Sequence, residues 1–138
     1  MNIYEDSRTV LTLDAGGTNM VFGAMKGGKP TPFSVTLPSN AHDLDLCLNT
    51  MVEGFNRVIE TLSEKPLAIS FAFPGPADYP NGIIGGFLPN FPSFRDGVAL
   101  GPFLQKKFGI PLCLWRGTRR CVARGQCQDC RTRWKEAL

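Results

Sequence analysis

Nowhere in this chain does an apolar run approach the ~20 residues that a membrane-spanning helix needs. The opening segment, Met1 to Arg8, carries Glu5 and Asp6 and leads into only a short apolar run, which fits neither an anchor nor an export signal. A cytoplasmic protein is the expectation. Internal repeats are absent. The five cysteines are an odd number for a disulfide framework, and they are unevenly spread in a chain without an export signal, so reduced thiols are expected. Length, at 138 residues, allows one domain and at most a tail beside it.

Acidic residues are scarce where the positive charge gathers. From Met1 to Ile110 eight Lys and Arg face ten Asp and Glu, a net of −2; from Pro111 to Leu138 seven face two, a net of +5. All ten Phe lie before that boundary, whereas both Trp and Cys113, Cys121, Cys127 and Cys130 lie after it. Two differently composed segments therefore share the chain.

Within the first segment the pattern is that of a mixed sheet with helices. Thr9 to Asp14 and Met20 to Met25 read as a strand pair around Ala-Gly-Gly-Thr-Asn, and Gly27-Gly28 offers a second turn before a weaker strand, Pro32 to Leu37. Ser39 or Asn40 can cap a helix whose first turn holds Asp43 and Asp45. Leu44, Leu48, Met51, Phe55, Val58 and Leu62 then recur at four- and three-residue steps, lining one face of about 19 residues. Leu67 to Phe73 follows as a continuous apolar run, and the helix before it makes it a crossover strand parallel to the first. "PGPADYPNG", residues 74 to 82, is a loop at that strand's C-terminal end, where α/β folds place ligands. Asp96 can cap a second helix, roughly Val98 to Phe108, closed by Gly109, with Ile110 to Trp115 starting another strand.

The turn inside "LTLDAGGTNMVFGAM", residues 11 to 25, carries the clearest chemistry. Gly16 and Gly17 let backbone N–H groups converge without a Cβ in the way, a nest suited to phosphate, and Thr18 and Asn19 add short polar side chains to the same lip. Asp14 repels phosphate directly but can hold a magnesium ion through water. The same residues also suit an ordinary glycine hairpin with an aspartate at its start. Residues 23 to 29, Gly-Ala-Met-Lys-Gly-Gly-Lys, have Walker spacing, but Pro30 follows, without the hydroxyl that motif gives to magnesium.

Three stretches resemble the ROK family of sugar kinases and sugar-responsive repressors, and within it the glucokinase-like members. "LDAGGTNMVFGAM" looks like that family's phosphate-binding hairpin, "SFAFPGPAD" like its P-G-P-x-D loop, and "LPNFPSFRDGVALGPFLQKKFGIP" like its N-hydrophobic-P segment leading to G-[ILM]-P. Their order and spacing match from Arg8 to Leu112. The resemblance implies an α/β fold, the N-terminal lobe of a ribonuclease H-like, actin-like ATPase. Its sheet would join an antiparallel meander to parallel crossover strands, flanked by helices. It also implies ATP-dependent phosphorylation of a hexose, with magnesium as cofactor and ATP as co-substrate. Asp14 maps to the magnesium, Gly16, Gly17, Thr18 and Asn19 to the nucleotide phosphates, and Gly75 and Asn90 to sugar hydroxyls. Gly75 also serves as plain turn chemistry, and Asn90 as a plain loop cap. With about eight residues ahead of the first strand, the repressors' helix-turn-helix is not expected.

The resemblance stops at the end of that stretch. In the family, G-[ILM]-P-V is followed after three residues by Asn-Asp, the aspartate being the general base; here those positions are Arg116 and Gly117. Glycine cannot accept a proton, and arginine is never a base near neutral pH. The second lobe is not in this sequence. Residues 1–112 are therefore expected to be a sugar-kinase lobe, inactive alone, and 113–138 a basic, non-native or disordered tail, the product of a frameshift near codons 112 to 115. The alternative is a non-catalytic binding module whose tail seats zinc on Cys121, Cys127 and Cys130 or meets nucleic-acid phosphates. No histidine in the tail supplies a fourth zinc ligand, and a single C-x-x-C is a weak signal, so neither zinc nor nucleic acid is the expected partner.

Overall fold

The computed structural model describes residues 8–73, 77–78, 81–86, 88–110 and 112–115. Gly75, Arg116, Gly117, Cys121, Cys127 and Cys130 lie outside the described residues. The meander forms as the pattern requires. Strand β1 (Thr9–Ala15) pairs antiparallel with β2 (Asn19–Lys26), from Thr9 opposite Lys26 to Ala15 opposite Met20. Gly27 and Gly28, at φ 61° and 74°, turn the chain into β3 (Lys29–Pro30), a region of backbone space that glycine enters without a steric penalty. The expected strand from Pro32 begins later, as β4 (Val35–Pro38), which pairs with β2 from Asn19 opposite Pro38 to Phe22 opposite Val35. The Walker-spaced residues thus fall in β2 and its turn.

Helix α1 (Leu44–Ile59) follows, 16 residues long rather than about 19. Its cap is Asp43, whose carboxylate accepts the Leu46 N–H at 3.1 Å, not Ser39 or Asn40. The reason is tertiary: the Ser39 hydroxyl donates to the Gly16 carbonyl, and the Asn40 side-chain amide donates to Thr50 Oγ1 at 3.2 Å. Of the expected stripe, Met51, Phe55 and Val58 are fully buried, and Leu44, Leu48 and Leu62 pack half-buried at its margins. Burial pushes the thiol of Cys47, on the same helix, up to about 11, which keeps it protonated and unreactive at neutral pH.

The chain then crosses over. Strand β5 (Ala68–Ala72) lies parallel to β1, Val10 opposite Ala68 through Asp14 opposite Ala72. Beyond it the turn-rich segment holds a small ribbon, β6 (Ala77–Asp78) against β7 (Ile83–Ile84), which the loop reading did not anticipate. Asp78 organises it by accepting from the Asn81 side-chain amide at 2.7 Å. A single 3₁₀ turn, Pro92–Phe94, precedes α2 (Leu100–Phe108). Asp96 does not cap that helix. Val98 is held extended, with both its N–H and its C=O bonded to Ile84, so helical geometry starts only after Ala99. Gly109, at φ 66°, closes α2 as expected. The last described strand, β8 (Leu112–Trp115), lies parallel to β5.

Among the described residues the main sheet runs β3-β2-β1-β5-β8, with β4 also on β2. It is the mixed sheet that the resemblance implies. One face buries Leu11, Leu13, Phe22, Ile69 and Phe71 beneath α1 and α2. The Phe22 and Phe55 rings meet edge to face at 5.1 Å, an arrangement the ring quadrupoles favour. Gly54 makes that approach possible, since a Cβ there would overlap the Phe22 ring. Gly54→Ala should therefore destabilise the lobe by about 1–3 kcal/mol through overpacking, although alanine is the better helix former. Urea denaturation of the two proteins measures it, and equal stability would show that Phe22 has room to yield.

Candidate functional site

The site is built at the C-terminal edge of the parallel strands. Asp14 sits one residue from the end of β1, in register with Ala72 at the end of β5, which is in turn in register with Trp115 at the end of β8. Parallel pairing so delivers three chain exits to one edge, the place where open α/β sheets bind ligands. Asp14, Thr18 and Asn19 are exposed there, and Gly16 and Gly17 are half-buried.

The hairpin turn is tight. Gly16 N–H donates to the Asn19 carbonyl at 3.1 Å, and a Cβ on Gly16 would stand 2.8 Å from that oxygen. Gly17 stands against the loop of Asn90: a Cβ on Gly17 would lie 2.8 Å from Asn90 Cβ and 3.2 Å from its Cγ. The structure therefore brings together two expected site residues that are 73 positions apart in sequence. Gly75 belongs to the same expected set but is outside the described residues; Phe73, two positions before it, is buried beside the site.

Aromatic rings fix the Asn90 loop. Phe91 N–H donates to the Leu88 carbonyl at 3.1 Å, closing a turn with Asn90 exposed at its tip. Phe91 and Phe94 are fully buried and pack on Phe73, with ring centroids 4.7 Å and 5.4 Å from it. The spacing in "NFPSF" thus serves to plant two rings in the core while the asparagine stays at the surface. Sequence reasoning noticed the asparagine and missed these anchors. It also missed Ser39, which a helix-cap reading had absorbed. A buried serine is weakly marked in sequence, because serine is common at caps.

Elsewhere, a groove of about 390 Å³ lies between the C-terminal parts of α1 and α2, lined by Ile59, Leu62, Pro66, Phe108 and Ile110 among others. It sits beside the entry to β5, at the opposite edge of the sheet from Asp14 and Asn90. Among the described residues no group of three or more His, Cys, Asp or Glu side chains could hold a metal by itself, and no helix is long and apolar enough to cross a membrane.

Comparison with solved structures gives the architecture its relatives. A glucokinase from Parabacteroides distasonis superposes with a TM-score of 0.79 at 59% identity, covering 84% of this chain and 32% of its own. A ROK hexokinase from Thermus thermophilus gives 0.67 at 27% identity over 78% of this chain and 35% of its own. In fold the described lobe is similar to sugar kinases of the ROK family. An inorganic polyphosphate/ATP-glucomannokinase from Arthrobacter shares the fold, with a TM-score of 0.57 at 18% identity over 79% of this chain and 44% of its own. The chain spans about a third of the length of the glucokinase and the hexokinase it matches. No family model matches it, and no curated protein does.

The contact at Gly17 makes a sharper expectation than a glycine turn alone. If the turn cradles phosphate, Gly17→Val in a two-lobed kinase carrying this lobe should abolish ATP binding, and the same change should push on Asn90 and move its amide resonance. An ATP titration followed by amide correlation spectra reads both. Unchanged ATP affinity would return the turn to a plain hairpin.

Proposed function

We propose that this chain is the N-terminal lobe of an ATP-dependent hexose kinase of the glucokinase-like kind, incomplete by itself. The observation that carries the reading is the packing of Gly17 against Asn90 at the strand ends. Phosphoryl transfer needs an acceptor hydroxyl and the transferred phosphate within bonding reach of each other, and positioning supplies much of the rate. Two loops in contact, one suited to an anion and one presenting an exposed amide side chain, meet that need.

In this reading Gly16, its own N–H spent on the Asn19 carbonyl, keeps the turn tight, while Gly17, Thr18 and Asn19 offer the nucleotide phosphates backbone N–H groups and short side chains. Asn90, with Gly75, takes sugar hydroxyls, its amide able both to donate and to accept. The sugar oxygen attacks the terminal phosphorus, the bond to the bridging oxygen breaks, and the hydroxyl proton must pass to a base. Arg116 and Gly117 stand at the family's Asn-Asp positions, so at those two positions this chain has no group to take that proton. Magnesium would supply charge neutralisation on the phosphates. A single exposed carboxylate, Asp14, fits a magnesium that keeps its waters and binds mainly through phosphate oxygens, and does not fit an ion caged by protein. Residues 1–112 form the kinase lobe in this proposal, and 113–138 are a frameshifted continuation whose first residues complete β8.

An assay of ATP-dependent hexose phosphorylation on the purified 138-residue chain should show no turnover. The missing base costs about 10²- to 10⁴-fold by itself, and the absent second side of the cleft costs more. Turnover at an ordinary kinase rate that survives further purification would overturn the incomplete-lobe reading.

The sugar assignment is tested in a two-lobed kinase carrying this lobe. Asn90→Ala should weaken hexose binding by about 1–3 kcal/mol, leaving buried hydroxyls unpaired, and should weaken nucleotide binding far less. Calorimetric titration of each ligand separates the two, and equal losses would make Asn90 a structural loop residue.

A further inference from the structure

Three of the residues that join β4 to α1, Ser39, Asn40 and Ala41, each bond to a different part of the lobe. Ser39, fully buried, donates its N–H to the Thr18 carbonyl at 2.9 Å and its hydroxyl to the Gly16 carbonyl, so it grips both sides of the glycine turn. Asn40 takes the left-handed conformation, φ 49°, which asparagine tolerates better than most residues, and ties the junction to α1 through Thr50. The Ala41 carbonyl accepts from Ser93 twice, from its N–H at 3.3 Å and its hydroxyl at 2.7 Å. Ser93 lies three residues after Asn90, in the 3₁₀ turn that carries the loop.

From this arrangement we infer that Ser39–Ala41 is a bracket that holds the glycine turn and the Asn90 loop in one frame, with Ser39 and Ser93 as positioning residues for the two ligands. The inference rests on the reading of these loops as the phosphate and sugar sides of one site. Neither serine touches a ligand in this account. Each fixes a carbonyl or a turn whose neighbours do. Because the junction is common to both loops, and Gly17 already abuts Asn90, loosening one loop loosens the other. A ligand that orders the sugar side thereby lowers the ordering cost on the phosphate side, which is positive coupling without a large conformational change.

Coupling of this kind is read across the site, not at the altered residue. Amide hydrogen exchange of the full 138-residue chain would be followed in Ser93→Ala, Ser93→Thr, Ser39→Ala and Thr61→Ala. Thr61→Ala is the control. It removes a hydroxyl-to-carbonyl bond of the same kind, to Val58 at 2.7 Å, at the far end of α1. Ser93→Ala should speed exchange at the Gly16 and Ser39 amides by roughly two- to tenfold, the worth of one such bond, relative to that control. Ser93→Thr keeps the hydroxyl and should restore them. Ser39→Ala should speed exchange at Gly16 and, across the site, at Phe91 and Ser93. If Ser39→Ala does not fold, the half-buried Ser93 positions still decide the matter. Gly16 and Ser39 exchange that matches the Thr61→Ala control would overturn the bracket. Glucose added to the unaltered chain is a separate arm: no change at Asn90 at any concentration would count against the kinase reading and leave the exchange result standing.

Discussion

The parallel alignment of β5 beside β1 is the constraint on which the rest of the lobe depends. Parallel neighbours cannot be joined by a hairpin, so the chain must leave the sheet and return across one face. That return is α1, and its apolar stripe is the cover for Leu11, Leu13, Phe22, Ile69 and Phe71. The same alignment puts Asp14 and Ala72 level with each other, and Trp115 level with both. A glycine turn after β1 and a loop after β5 then emerge at one edge, without either having been selected for proximity to the other.

Aromatic packing converts that edge from a meeting of loops into a fixed geometry. Ring contacts run from Phe108 on α2 through Phe55 and Phe71 to Phe73, and from there to Phe91 and Phe94. Each step lies between 4.7 Å and 6.5 Å, so the loop bearing Asn90 is continuous with the core of the sheet. Side chains packed at interior density transmit displacement instead of absorbing it. An exposed asparagine on such a base keeps its position while remaining open to a ligand, which is what a recognition residue requires.

Much of this was legible in the sequence, for reasons that differ by element. Thr9 to Asp14, Met20 to Met25 and Leu67 to Phe73 could be read as strands because they are bounded by glycines, prolines or a helix. The stripe from Leu44 to Leu62 could be read because its spacing is helical. Caps were read less well. Ser39 looks like a cap in one dimension, and only the fold shows that its hydroxyl is committed to Gly16, 23 residues away. Asp96 failed similarly, because Val98 is drawn into a bridge with Ile84 that no local pattern announces. For the site, residue types and their resemblance to a known arrangement gave the candidates, but the contact of Gly17 with Asn90 depends on the whole crossover and was out of reach of spacing.

The end of the sheet bears on what the composition boundary means. Sequence reasoning expects Ile110 to Trp115 to start a strand and residues 113–138 to be a non-native or disordered tail. In the structure β8 reaches Trp115 and pairs with Ile69 through Ala72, so four apolar residues fill the strand before Arg116 begins. Charged side chains disrupt a buried strand when they must lie within it, because ions cannot be desolvated without a partner. The described strand, Leu112–Trp115, carries no charged residue, and the charges from Arg116 on lie outside the described residues. In the proposed reading the break in composition bears on the chemistry: the position that the resemblance assigns to the proton acceptor is two residues past Trp115, and it is Gly117 in this chain. In that reading, pairing of the described sheet and competence for phosphoryl transfer come apart at that point. The sheet needs apolar residues up to the edge, whereas transfer needs a carboxylate just beyond it.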